Sequence, residues 1–214
     1  MKIALVLRGH YRTFDTTSVQ WRRALTGISY DCYFHTWNIK DSTLPTVYRK
    51  GTYSIELNEK QINTLKSFDP NLVIETQEFT ESDISNLYLS TPHKSFIYRY
   101  DSLRDTLQRI PQDTYDIVIV GRYDLLIKSL ENLEVSEDEI VIGGTYDNKY
   151  HKGIRGNDMI FAFHPKNIPL FTTNPYLETM DFKYGEEPFS DFIYNKFKKV
   201  SVKWKYEKDF IIKR

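Results

Sequence analysis

Tyr115-Asp116-Ile117-Val118-Ile119-Val120-Gly121-Arg122-Tyr123-Asp124 is the most apolar run in the chain, and it passes without a spacer into a guanidinium and a carboxylate. A short continuous aliphatic stretch bounded by polar residues reads as a strand covered on both faces, the kind found in parallel sheets between layers of helices. Ile3 to Leu7 repeats the pattern and ends in Arg8-Gly9-His10. Asp15 to Leu25 then reads as a helix and Asp31 to Trp37 as a second strand, which makes a βαβ beginning. Outward from these, a helix is expected over Asn58 to Phe68, halted by Asp69-Pro70, with a third strand at Leu72 to Ile74. A helix over about Lys94 to Ile110, stopped by Pro111, precedes the central strand, with Phe96, Tyr100, Leu103 and Leu107 on one face. Ile140 to Ile142, Met159 to Phe163 and Val200 to Tyr206 read as further strands, Lys149 to Asn157 as a polar loop, and Pro188 to Lys198 as a late helix. The fold expected is α/β, with a mostly parallel central sheet flanked by helices.

Composition narrows the function. At 214 residues a single domain over 1–214 is expected, standing alone or excised from a longer multidomain protein. Lys plus Arg and Asp plus Glu both number 29, so no global field draws the chain to nucleic acid, and no apolar run suits membrane insertion. Sixteen Tyr, 13 Phe and 3 Trp supply rings for a core or for stacking on sugars and bases. The single Cys32 rules out an internal disulfide and fits a reducing compartment, so a cytoplasmic setting is expected, the host cytoplasm if the source is viral.

In open α/β sheets ligands collect at the carboxyl ends of strands, where loops and helix N-termini bring unpaired donors together. Three clusters fall at such ends. Arg8-Gly9-His10-Tyr11-Arg12-Thr13 combines a glycine that lets a ligand approach the backbone with two arginines able to grip phosphate oxygens, or is a solvated loop. His35-Thr36-Trp37-Asn38 offers a ring and hydrogen-bonding groups for a base and ribose, with a packed neutral His35 as the alternative. Arg122-Tyr123-Asp124 sets charge at the rim of the core strand, where Asp124 either serves a ligand or pairs with Arg122, leaving Asp116 as another partner for Arg122. A hard cation, Mn2+ or Mg2+, takes oxygen ligands and often only one or two carboxylates, so Asp124 alone suffices as a candidate metal ligand. Asp124→Ala is then expected to abolish turnover with little loss of stability, whereas a salt bridge predicts a large loss. Asp158 is the first candidate for a base acting on an acceptor hydroxyl and Glu187 the second; a turn aspartate and a helix-capping acid are the structural alternatives. P-loop, G-x-G-x-x-G, H-E-x-x-H, C-x-x-C and G-x-S-x-G patterns are absent.

With those residues in place the chain resembles small GT-A-type glycosyltransferases, nucleotide-diphospho-sugar transferases of bacterial surface-polysaccharide loci and large algal viruses. Ile3 to Phe14, Phe34-His35-Thr36-Trp37, Tyr115 to Asp124 and Gly156-Asn157-Asp158 carry the likeness, over residues 1 to about 160. The layout looks especially like the N-terminal domain of a chlorella-virus member of that family that decorates the major capsid protein. The resemblance implies a UDP- or TDP-sugar donor across the strand ends and a hexosyl or deoxyhexosyl group passed to a glycan or glycoprotein acceptor. It also implies Arg8, Gly9, His10, Tyr11 and Arg12 near the diphosphate, Thr36 and Trp37 near the base, and Arg99 toward the phosphates or sugar. Arg122 and Tyr123 join the donor-binding set, and Asp124 stands as the last residue of a D-x-D-like motif whose first aspartate is Arg122 here. A nucleotidyltransferase making nucleotide sugars and a non-catalytic nucleotide- or carbohydrate-binding module are the competing readings.

Overall fold

The computed structural model describes residues 1–40, 55–76, 102–130, 133–144, 156–172, 196–205 and 210–212, with backbone only at 144, 156–159, 202, 204–205 and 210–212. The chain opens with β1 (Lys2–Gly9), α1 (Phe14–Ala24) and β2 (Ser29–Trp37), then α2 (Glu59–Lys66) and β3 (Val73–Glu75). A helix α3 over 102–108 leads to β4 (Ile117–Arg122) and the short β5 (Leu125–Ile127). β6 (Glu139–Gly144), β7 (Gly156–Phe163), α4 (Ile168–Thr172), β8 (Lys199–Lys205) and β9 (Phe210–Ile212) complete the described elements.

Among the described residues, seven strands form one sheet in the order β3-β2-β1-β4-β7-β6-β8, and β5 pairs with β9 in a separate ribbon. β3, β2, β1 and β4 run parallel, as do β6 and β8; β7 alone is antiparallel to its neighbours β4 and β6. The mostly parallel sheet agrees with the expectation. The apolar runs at β1 and β4 are explained by helices on both faces. Ile3, Leu5 and Leu7 pack with Phe14, Trp21 and Leu65 of the α1 and α2 side. Ala4, Val6, Val118 and Val120 pack with Leu103, Leu107 and Phe171 of the α3 and α4 side. Gly121 is glycine for a reason of space: a Cβ there would lie 3.1 Å from Trp21 and 3.2 Å from Leu7, so its absence seats α1 on the sheet.

Local signals explain the helix starts. Asn58 accepts from the Gln61 amide while Gln61 accepts from the Asn58 amide, a capping box that fixes the first turn of α2. Where β3 is too short to cover β2, buried Asp69 accepts from the Phe34 amide at 2.6 Å and Arg109 donates to the Phe34 carbonyl at 3.0 Å. The late helix expected over Pro188 to Lys198 lies almost wholly outside the described residues, as does the first half of the helix from Lys94. One boundary is corrected: β7 begins at Gly156, so Gly156 and Asn157 belong to the sheet and not to a polar loop. No described helix is long and apolar enough to cross a membrane.

Candidate active site at the strand-end edge

Direction of travel decides what meets at the edge. β1, β2, β4 and β6 all end on one side of the sheet, and antiparallel β7 enters from that same side. Arg8 is the register partner of both His35 on β2 and Arg122 on β4. Partners in a parallel register point to the same face, so Arg8, His35 and Arg122 form one row on the face that α3 covers. Arg8 is itself buried, at 7% exposure.

The chain turns out of β1 through Gly9, at φ 104°, and Arg12, at φ 46°. Glycine tolerates such angles, whereas an arginine in the left-handed region costs about 1 kcal/mol and persists only where its surroundings hold it. Here the Arg12 amide donates to the Lys40 carbonyl at 2.7 Å, and its Nη1 donates to Asp124 Oδ2 at 2.6 Å. Arg122 grips the same carboxylate in bidentate fashion, Nε to Oδ1 at 2.9 Å and Nη2 to Oδ2 at 2.6 Å. Asp124 is 1% exposed. Burial works to raise its pKa, but the adjacent Arg122 and Arg12 charges outweigh it and hold the carboxyl below its usual range.

Asp124, expected as a metal ligand, is thus clasped between two guanidiniums. Both of its oxygens already accept hydrogen bonds, the local charge is positive, and no group of three His, Cys, Asp or Glu suited to a metal occurs among the described residues. These residues, with both Asp124 oxygens engaged by guanidiniums, do not fit Mn2+ or Mg2+ at Asp124.

The two tyrosines expected beside the donor lie in the core. Tyr11 and Tyr123 are both fully buried. The Tyr11 hydroxyl donates to Asp15 at 2.6 Å, while the Tyr123 hydroxyl donates to the His35 carbonyl at 3.0 Å and the Tyr123 carbonyl accepts from Thr17. Tyr123 therefore ties β2, α1 and the end of β4 together, and burial raises its pKa well above the ordinary phenol value. Thr36, expected near the base, is also buried, its hydroxyl donating to the Gly9 carbonyl at 3.0 Å, so it fixes the β1–β2 edge. Trp37 lies between two imidazoles, 5.0 Å from the His35 ring and 6.3 Å from the His10 ring. His35 is 1% exposed with Nε2 3.1 Å from a Glu75 carboxylate oxygen. Burial lowers its pKa and Glu75 opposes the shift, and the ring is packed inside the sheet. Glu75 escaped notice because no short spacing links β2 to β3.

On the far side of the sheet centre, the β6–β7 register jumps from Ile142↔Phe161 to Gly143↔Asn157. Asp158 falls inside this irregularity, at the same edge as Arg8 and Asp124; it lies within a strand, not in a turn. Bulges of this kind are frequent beside active sites, where they re-aim a side chain. Arg99 and Glu187 lie outside the described residues.

No protein-family model matches the sequence, and no curated protein matches it. Solved structures do match in three dimensions. The galactosyltransferase LgtC, in complex with donor and acceptor sugar analogues, aligns with a TM-score of 0.50 at 12% identity over 94% of this chain and 73% of its own. The fold is one that glycosyltransferases use. An active-site mutant of LgtC aligns at 0.51 with 11% identity, over 94% and 72% of the two chains. The glycosyltransferase GlyE of Streptococcus pneumoniae TIGR4 aligns at 0.52 with 12% identity, over 94% of this chain but 44% of its own, so the chain spans under half the length of GlyE. At such identities the likeness establishes the glycosyltransferase-type fold, and the chemistry must be argued from the edge described above.

Proposed function

We propose that the chain is a glycosyltransferase that moves a hexosyl or deoxyhexosyl group from a UDP- or TDP-sugar to a hydroxyl of a glycan or glycoprotein. The observation that carries the reading is the convergence of Arg8, Arg12 and Arg122 on the strand-end edge, beside a glycine with positive φ that opens the backbone to a ligand. Guanidiniums match phosphate oxygens in both charge and fork geometry, and a pyrophosphate across these ends leaves the base toward Trp37 and the sugar toward β7. LgtC, which shares the fold, has been solved with donor and acceptor sugar analogues. Charge that develops on the departing diphosphate meets fixed positive groups, and such electrostatic stabilisation is among the largest catalytic contributions available. Asp158, at the same edge, takes the proton of the attacking hydroxyl, and displacement by that hydroxyl then inverts the anomeric carbon.

The reading is tested by incubating the protein with a panel of UDP- and TDP-sugars and an acceptor glycan and following release of the nucleoside diphosphate. One donor is expected to turn over with sugar appearing on the acceptor. Pyrophosphate release from a sugar phosphate and a nucleoside triphosphate would point to a nucleotidyltransferase instead, and tight binding with no turnover of any donor would point to a binding module.

A further inference from the structure

We propose that the positive charge that holds and neutralises the pyrophosphate in this site comes from Arg8, Arg12 and Arg122, positioned by Asp124, and not from a divalent cation. The inference rests on the glycosyltransferase reading and specifies how its donor site works.

Coordination geometry supplies the first argument. Magnesium and manganese need an oxygen at about 2.1 Å, with ligands disposed around the ion. The Asp124 oxygens accept three guanidinium hydrogen bonds of 2.6 to 2.9 Å, so an ion would have to displace at least one arginine and would still lie against the others. A dication beside guanidiniums is repelled, whereas an anion in the same place is attracted.

Charge supplies the second. Three guanidiniums and one carboxylate leave a surplus of two positive charges among these four residues. The pyrophosphate of a nucleotide sugar bears about two negative charges, one on each phosphate. The sign of the charge on these four residues therefore suits the ligand.

Backbone geometry is the third. Arg12 adopts the left-handed region, and its guanidinium reaches a carboxylate 112 residues away in the chain. A strained loop that delivers a side chain to one point is a reason to look for a task there. Asp124 acts as a positioning residue: without it, Arg12 and Arg122 repel one another and lose their shared orientation. Arg122 stands where the resemblance to GT-A-type transferases puts the first aspartate of a D-x-D pair, and from there it reaches Asp124.

UDP, with TDP in parallel, is the probe, and binding is measured by titration calorimetry on the full chain in EDTA and again in Mn2+. The Kd is expected to stay within about twofold between the two conditions. Arg12→Gln is expected to weaken UDP at least about tenfold while leaving uridine unaffected, and Arg12→Lys to recover part of the loss. Nucleotide-sugar turnover is expected to persist in EDTA. Binding or turnover that collapses only in EDTA overturns the inference and leaves the glycosyltransferase reading standing. Unchanged UDP affinity in Arg12→Gln also overturns it. EDTA-resistant, Arg12-dependent UDP binding with no turnover of any donor supports the arginine clamp and removes the transferase reading. Absence of UDP binding under both conditions defeats both.

Discussion

Replacing Asp124 by asparagine isolates the charge of the clasp, since the shape is nearly preserved. The carboxylate accepts from Arg12 once and from Arg122 twice, at 1% exposure. Asparagine supplies one acceptor, and its amide nitrogen confronts a guanidinium donor with another donor. Removing one member of a buried ion pair costs roughly 3–5 kcal/mol, because the partner charge is left uncompensated. The Arg12 and Arg122 side chains are 26% and 18% exposed and can turn part-way to water, which argues for the lower end, about 3 kcal/mol. In a chain of this size that loss lowers Tm by about 6–12 °C. The sequence alone led to the opposite expectation, a small effect on stability. The pH dependence has a definite sign: a carboxyl held below its usual value stabilises fully above the unfolded pKa, and that stability is lost as pH falls through the lower, folded pKa. The gap between wild type and Asp124→Asn should therefore be full at pH 7 and narrow below about pH 4. Thermal unfolding followed by circular dichroism in EDTA across that range measures it, and a cycle with Arg12→Ala assigns the share owed to that pair. A shift at pH 7 smaller than about 2 °C, or a gap that does not narrow in acid, would refute the reasoning.

Three further outcomes are expected. Tyr123→Phe removes the buried donor to the His35 carbonyl and should cost about 1–2 kcal/mol in urea unfolding, with an unchanged m-value. Gly121→Ala forces a methyl against Trp21 and Leu7 and should destabilise by about 1–3 kcal/mol in the same assay, while Trp21→Phe in that background should recover part of the loss. Asp158→Asn should slow sugar transfer by about 10²–10⁴-fold with unaltered Kd for UDP, since its proposed task is the acceptor's proton; an unchanged transfer rate removes it from the mechanism.

Some of this was legible in sequence. β1 and β4 announce themselves because both faces of each strand are covered, which demands continuous aliphatic residues, and α1, α2, β2 and β3 fall within two residues of their expected bounds. β5 and β9 are three residues each and, unlike β3 after its Asp69-Pro70 stop, follow no helix-ending signal that would set them off. Strand direction is not written in periodicity either. Nothing in Met159 to Phe163 distinguishes an antiparallel strand inserted between β4 and β6 from another parallel one, although that insertion is what brings Asp158 to the edge. At the site, the three clusters were visible as polar residues ending apolar runs, but which of their side chains turn inward was not. Tyr11 and Tyr123 sit beside arginines in sequence and yet fill the core, because a phenol can bury its ring once its hydroxyl finds an acceptor. Asp116, weighed as a partner for Arg122, instead accepts from the Lys2 amide at 2.6 Å at the opposite end of the strand.

Arg122 and the clasp on Asp124 belong to one arrangement of charge. A pair of acids two residues apart at the end of a core strand is a negative site, and it can neutralise a pyrophosphate only by first recruiting a cation. Arginine at the first of those positions converts the pair to a neutral one, and Arg12, brought in by its left-handed turn, makes it positive. Arg8, in register with Arg122, adds to the same sign. On the proposal made above, the carboxylate beside these guanidiniums keeps mutually repelling groups parallel and aimed. On that proposal the edge attracts the anion directly. If that is how the site works, adding a carboxylate back should reverse the preference, so Arg122→Asp is expected to weaken UDP in EDTA and to make whatever binding remains respond to Mn2+. Binding that stays indifferent to manganese in that variant would show that charge at position 122 does not decide between the two routes.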